Sequence, residues 1–214
     1  MKSDKLKLLS FIIIATFCQD LFCQSFEGKI TFKNNFTSKS KQVNGSQLNV
    51  LMGTEQDYFI KANNYASLFN GRFIKKQIYS SAESRGYTIT GQTDTAYWED
   101  YKLNKDSMLT HQIILNKDTV LGIPCNLLIV KSKSSTSMYY YNSDTLIIEP
   151  NIFKNHNYGN WYNVVLITRC IPLKTIFENE QFQMVSEAVK IEKGMVDDKI
   201  FNLPDKNKVA PAKW

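Results

Sequence analysis

Few residues in this chain have the type and spacing that catalysis or metal binding demands. There are two histidines, His111 and His156. A zinc site needs three or four His, Cys or carboxylate ligands converging on one point, and neither His-x-x-x-His nor Cys-x-x-Cys occurs. A general base needs a nucleophile or acid positioned beside it. His111 lies in an alternating, strand-like stretch, which suits an imidazole at a sheet edge or in the core. His156 lies in an asparagine-rich loop and is expected to be solvated. Gly-x-Ser-x-Gly, a phosphate-cradling glycine loop and a dinucleotide fingerprint are missing. The adjacent acids Glu99-Asp100 and Asp197-Asp198 would send their carboxylates to opposite faces of a strand, so they read as solvated turn acids. The expectation is a non-enzyme with no catalytic residues, no metal and no cofactor.

Binding leaves more to work with. Tyr139-Tyr140-Tyr141, Trp98 and Trp161 join an apolar ring to a polar tip, a combination suited to amphipathic ligands. Aromatic residues also pack across strands with no ligand involved, so no ligand-binding residue is assigned. Cys125 and Cys170 form one disulfide or remain two buried thiols; both alternatives stay open, because Cα separation is not readable from sequence. Asp94-Thr95-Ala96, Asp106-Ser107-Met108, Asp118-Thr119-Val120 and Asp144-Thr145-Leu146 repeat one pattern, Asp-Ser/Thr followed by an apolar residue. This is good turn chemistry before a strand. It also resembles the O-glycosylation motif of exported Bacteroidota proteins, which makes Thr95, Ser107, Thr119 and Thr145 candidate sugar acceptors.

The elements that must position these residues are mostly strands. Phe26, Gly28, Ile30, Phe32 and Phe36 alternate with Glu27, Lys29, Thr31, Lys33 and Asn35, the period of a half-buried strand. Leu48, Val50 and Met52 repeat the alternation. Short β-prone runs follow at residues 58–61, 73–80, 87–90 and 96–101, parted by turn residues. Asn70-Gly71 is a hairpin signal, because both residues tolerate positive φ. Residues 127–130 and 164–168 read as continuous buried strands, and residues 182–185 and 187–192 as the last ones. Residues 150–162 read as an irregular aromatic loop with one short helix, and residues 205–214 as a polar tail that frays. A sheet of eight or more antiparallel strands must curl to limit its edges. The expected fold is therefore mainly β: an antiparallel curved sheet or half-open barrel with few short helices, one domain over residues 25–204.

Location comes from the first residues. Lys2, Lys5 and Lys7 precede an apolar run at residues 8–17, then a mixed stretch to residue 24, which is the layout of a secretory signal peptide. The run is too short to span a bilayer, so no transmembrane helix is expected in the mature chain. Phe17 and Phe22 stand before Cys18 and Cys23, where lipidation needs a small residue, and this argues against a lipoprotein anchor. The chain has 214 residues, 43% of them hydrophobic, and a formal net charge of +6. Removing residues 1–23 takes away three lysines and two aspartates and leaves a charge near +5. The positive charges are scattered and no nucleic-acid motif accompanies them, which excludes nucleic acid as a partner.

The segment Ala188-Val189-Lys190-Ile191-Glu192-Lys193-Gly194-Met195-Val196-Asp197-Asp198-Lys199-Ile200-Phe201-Asn202-Leu203-Pro204 resembles the ending of small exported proteins with the LolA-like (outer-membrane lipoprotein-sorting) fold. Val120-Leu121-Gly122-Ile123-Pro124-Cys125 resembles the Leu-Gly-x-x-Cys step of the GLPGLI family and neighbouring uncharacterised Bacteroidota proteins, and Ile171-Pro172-Leu173-Lys174 resembles their Pro-Leu segment. The hexapeptide Gly-Leu-Pro-Gly-Leu-Ile itself is absent. The resemblance implies a LolA-like half-barrel whose concave side holds an acyl chain or another apolar ligand. The expected function is thus a non-enzymatic protein of the periplasm or cell surface that binds a lipid, a lipoprotein acyl chain or another apolar group. The alternative is an envelope interaction or scaffold module with a filled core.

Overall fold

The computed structural model describes residues 25–205 and 208–213. The expected export signal, with Cys18 and Cys23, lies outside the described residues.

The strands are β1 (Gly28–Ser38), β2 (Glu55–Lys61), β3 (Asn64–Phe69), β4 (Ile74–Ser80), β5 (Arg85–Thr90), β6 (Ala96–Asp100), β7 (Met108–Val120), β8 (Ile123–Ser132), β9 (Thr136–Tyr141), β10 (Lys174–Glu178), β11 (Phe182–Lys193) and β12 (Val209–Pro211). They form one sheet in the order β12-β6-β5-β4-β3-β2-β1-β11-β10-β9-β8-β7. Every pairing is antiparallel except β12 with β6. Two helices are added, α1 (Gly45–Met52) and α2 (Trp161–Thr168). The mainly β, curved-sheet expectation holds.

Strand β1 behaves as its alternation demands, with Gly28, Ile30, Phe32, Asn34 and Phe36 buried and the residues between them more exposed. Its centre of the sheet is set by β2 on one side and β11 on the other. The curl of the sheet follows from residues 150–168. Phe153 lies with its ring 6.2 Å from Tyr79 of β4 and 6.2 Å from Trp161 at the start of α2. Val164, about one helical turn further on, packs with Leu128 and Val130 of β8. Strands β4 and β8 are seven places apart, about 33 Å in a flat sheet, so the sheet must wrap round this segment. The opposite, outer face of β3–β6 carries Ala66, Ile78, Tyr87 and Ala96, covered by Ile200, Phe201, Leu203 and Val209.

Four expectations are corrected. Residues 48–52 are not strand but part of α1, which a capping box starts: Asn44 Oδ1 accepts from the Gln47 amide and Gln47 Oε1 from the Asn44 amide. Residues 164–168 are likewise helical, in α2. There Val164, Val165 and Thr168 face the core while Leu166 is exposed, so packing has overridden the β preference of a branched run. The Asn70-Gly71 hairpin exists between β3 and β4, but neither residue has positive φ. Gly71 is needed instead for close approach, since a Cβ there would lie 2.5 Å from the carbonyl carbon of Met52. The described part of residues 205–214 does not fray; Val209–Pro211 pairs in parallel with residues 96–98 of β6.

Candidate ligand cleft

Cross-strand register places Ile60, Tyr65, Tyr79 and Gly86 in one row across β2–β5, and Tyr58, Ser67, Gln77 and Thr88 in the next. Residues opposed in this way share a face, here the inner one. The tyrosines build a continuous stack. Tyr58 and Tyr65 lie 5.4 Å apart, Tyr65 and Tyr79 5.3 Å, Tyr79 and Tyr101 5.8 Å, Tyr101 and Tyr158 4.5 Å between ring centroids. Tyr101 follows the end of β6 and fits because Gly86 beneath it has no side chain. Its carbonyl accepts the amides of Asn157 (2.7 Å) and Tyr158 (3.1 Å), which brings the Tyr158 ring down parallel to its own, within 6°.

His156 sits among these rings. Its ring centroid is 4.4 Å from that of Tyr79 and 4.8 Å from that of Tyr101, and the residue is 2% exposed. The expectation of a solvated His156 is therefore wrong. The turn Pro150–Phe153 carries the chain inward, and the His156 amide then bonds the Phe153 carbonyl at 2.8 Å. Burial pushes the imidazole pKa down to about 3, against a small opposing effect of its own backbone hydrogen bonding, so the ring is neutral. Tyr65 Oη and His156 Nε2 are 2.7 Å apart. Burial first, then the neighbouring tyrosines, holds the Tyr65 phenol well above its usual pKa. The tautomer of the neutral imidazole sets which of these two atoms donates and whether Nδ1 is a donor or an acceptor.

Tyr58, Tyr65, Tyr101, His156 and Tyr158 line a cleft of about 300 Å³ together with Gln56, Ser67, Gln77, Gly159 and Trp161, and no residue of the lining is charged. Gln56 Nε2 donates to Ser67 Oγ (2.8 Å) and Gln77 Nε2 to Thr88 Oγ1 (3.4 Å), which leaves both Oε1 acceptors for another partner. Three residues of the lining each hold one polar atom that is buried and has no hydrogen-bond partner: Tyr58 Oη, His156 Nδ1 and Trp161 Nε1. A fourth, Asn34 Oδ1, lies on β1 outside the cleft.

A second cleft, of about 620 Å³, adjoins the first across Tyr158 and Gly159. Tyr139, Thr175, Phe177 and Met184 line it from the sheet; Glu99, Lys105 and Asp106 bring charge to it. The ridge between the clefts is pinned by Asn160, whose backbone is left-handed (φ 62°). Asn160 Nδ2 donates to the Asp106 carbonyl (2.9 Å) and Ser132 Oγ (3.0 Å), while its Oδ1 accepts from the Met108 amide (2.8 Å) and Asn104 Nδ2 (2.6 Å).

The aromatic candidates from the sequence do not converge. Trp161 lines the first cleft and Tyr139 the second. Tyr140 lies on the other face under Lys174 Nζ, 5.3 Å away. Tyr141 is buried with Leu128, and Trp98 packs outside with Arg85 over it at 3.9 Å. The stack of Tyr58, Tyr65, Tyr79, Tyr101 and Tyr158 was not legible as a site, because strand register brings the first three together and long-range backbone hydrogen bonds to the Tyr101 carbonyl add Tyr158. His111 is exposed on the edge strand β7. Cys125 and Cys170 are both buried, as free thiols. Of the candidate sugar acceptors, Ser107 and Thr119 are exposed, whereas Thr95 and Thr145 are half-buried. Asp197 accepts the Lys199 amide at 2.9 Å, Asp198 pairs with Lys61 at 2.7 Å, and Asp100 accepts the Lys102 amide at 2.9 Å. Among the described residues no group of three or more His, Cys, Asp or Glu could hold a metal ion. No helix among them is long and apolar enough to cross a membrane.

No family model and no curated protein matches the chain. Among solved structures it is similar to PNGF-II in two crystal forms, with TM-scores of 0.49 and 0.47 at 13% and 12% identity. Each match covers 88% of this chain and about a third of PNGF-II, 32% and 31%.

Proposed function

We propose that this is a non-enzymatic, exported binding protein that takes an amphipathic ligand in the cleft framed by Tyr58, His156 and Trp161. The observation that carries this reading is the set of three buried, partnerless polar atoms on one small cleft. Leaving a buried donor unpaired costs about 1–3 kcal/mol, and native folds retain such groups where something else satisfies them. The remaining His156 nitrogen is held by Tyr65 and no carboxylate lines the cleft, which favours binding over acid–base chemistry. The charged, apolar and mixed layout of residues 1–24 supports placement in the periplasm or at the cell surface. A lipid headgroup with its chain, or another amphipathic molecule, meets the demands of ring faces and polar tips.

Native mass spectrometry of protein recovered from the envelope tests this. The expected spectrum shows a small-molecule adduct that the double variant Tyr58→Phe/Trp161→Phe loses. A bare polypeptide mass for the wild type sinks the reading.

One observation favours the second reading, an envelope interaction module. Phe153, His156 and Val164 are buried against the inner face, while Leu166 on α2 is 52% exposed. Cross-linking at residue 166 that captures one envelope protein, from samples carrying no small molecule, would select it.

A further inference from the structure

Resting on the binding reading above, we infer that the ligand is an uncharged saccharide that lies across Tyr158. This residue is 42% exposed. One face of its ring is stacked on Tyr101, and no other described ring stacks on it. It borders the two inner clefts and a third of about 220 Å³ beside Trp98 and Leu103. Gly159 next to it, at φ +60°, has nothing within 4 Å of where a Cβ would stand, so the saddle between the clefts is open. Asn160 then holds the saddle in place through its four hydrogen bonds.

The polar demand of the first cleft narrows the chemistry. Trp161 Nε1–H can only donate, Tyr58 Oη can do both, and His156 Nδ1 does one or the other according to its tautomer. Gln56 and Gln77 offer carbonyl oxygens that can only accept. The hydroxyl is the group that serves donors and acceptors alike at arbitrary positions. An acyl chain would leave every one of these atoms unpaired. An anion would enter a lining without a positive charge, beside a histidine held neutral by burial, and would lose its hydration without compensation. A flat heterocycle gains most when sandwiched, whereas here the ring face away from Tyr101 carries no second described ring. That face carries the negative side of the ring quadrupole and suits the C–H face of a pyranose. Beyond the saddle, Asn104, Ser134 and Ser135 border the larger cleft and offer further hydroxyl partners. The occupant is accordingly an oligomer of more than one ring.

The test is a titration of the folded protein, followed by tryptophan fluorescence and calorimetry, with neutral malto-, cello-, chito- and manno-oligosaccharides. cis-Parinaric acid is titrated in parallel as an acyl probe. Saturable binding of one oligosaccharide series is expected. Tyr158→Ala should weaken it by about tenfold or more, as loss of a stacking platform does, and Leu103→Ala should leave it nearly unchanged. Tyr58→Phe, which keeps the packing and removes one hydroxyl, should weaken it less than Tyr158→Ala does. Binding of cis-parinaric acid with no response to any oligosaccharide overturns the saccharide and leaves the binding reading standing. Response to neither probe, with a bare mass from the envelope, overturns both. Oligosaccharide binding that Tyr158→Ala does not weaken also overturns the inference, because the site then lies elsewhere.

Discussion

The ring of Tyr101 occupies the space that a side chain on residue 86 would need. A Cβ on Gly86 would overlap Tyr101 Cζ and Cε1, and the ring cannot slide aside because Tyr79 and Tyr158 are stacked on it. Gly86→Ala should therefore destabilise the protein by about 2–4 kcal/mol, in the range of overpacked cores. Denaturant unfolding measures this. The double variant Gly86→Ala/Tyr101→Ala should be more stable than the sum of the two single effects predicts, since removing the ring removes the clash.

Protonation of His156 should report on stability. Its folded pKa is pushed down to about 3 by burial, below the ordinary histidine value near 6.5. The unfolded chain therefore binds the extra proton between these limits. Stability is fully present above about pH 6.5 and falls by up to about 1.4 kcal/mol per pH unit as pH drops towards 3. In His156→Phe/Tyr65→Phe, which removes the titrating ring and its hydroxyl partner together, the slope of unfolding free energy against pH should flatten over this window.

The cleft was legible in the sequence only in fragments, and physics explains which. Period-two burial made β1 readable from Phe26 to Phe36, because one face of a strand is buried as a unit. His156 was misplaced because its asparagine-rich neighbours speak for solvent, while its burial depends on Phe153 and Tyr79, 74 positions apart. The helix at residues 45–52 did leave a local trace in Asn44 and Gln47, the two ends of a capping box. For α2 no such trace exists: its first cap, Asn160, makes no side-chain cap bond, and its side chain reaches instead to residues more than twenty positions away in sequence.

Removing a partnerless polar atom should not harm the empty protein. Tyr58→Phe deletes a hydroxyl that bonds nothing, so the expected change in unfolding free energy lies between zero and a gain of about 1–2 kcal/mol. Ligand affinity should move in the opposite direction. Parallel thermal melts and titrations of this variant separate the two effects.

The two core thiols should be inert in the native state. Burial pushes Cys170 up to about 12 and also raises Cys125, and the thiolate is the reactive form. Alkylation with iodoacetamide at pH 8, read by peptide mapping, should leave both unmodified until denaturant is added. Labelling of Cys125 or Cys170 without denaturant would show that the strands open locally.

Asn160 should behave as a fastener. Asn160→Ala removes four hydrogen bonds and places a non-glycine residue without a compensating side-chain contact at φ 62°. The expected cost is about 3 kcal/mol or more, with faster hydrogen exchange at the Met108 amide as its local sign.

Placing β1 between β2 and β11 also dictates an order of events. Gly28 must meet Lys193, and Ser38 must meet Phe182, so the central seam joins the first described strand to one of the last. Loops of this length are slow to close, and contacts so remote delay folding. A half-synthesised chain lacks its inner seam altogether. It gains its final shape only once residues 182–193 are present to pair with β1.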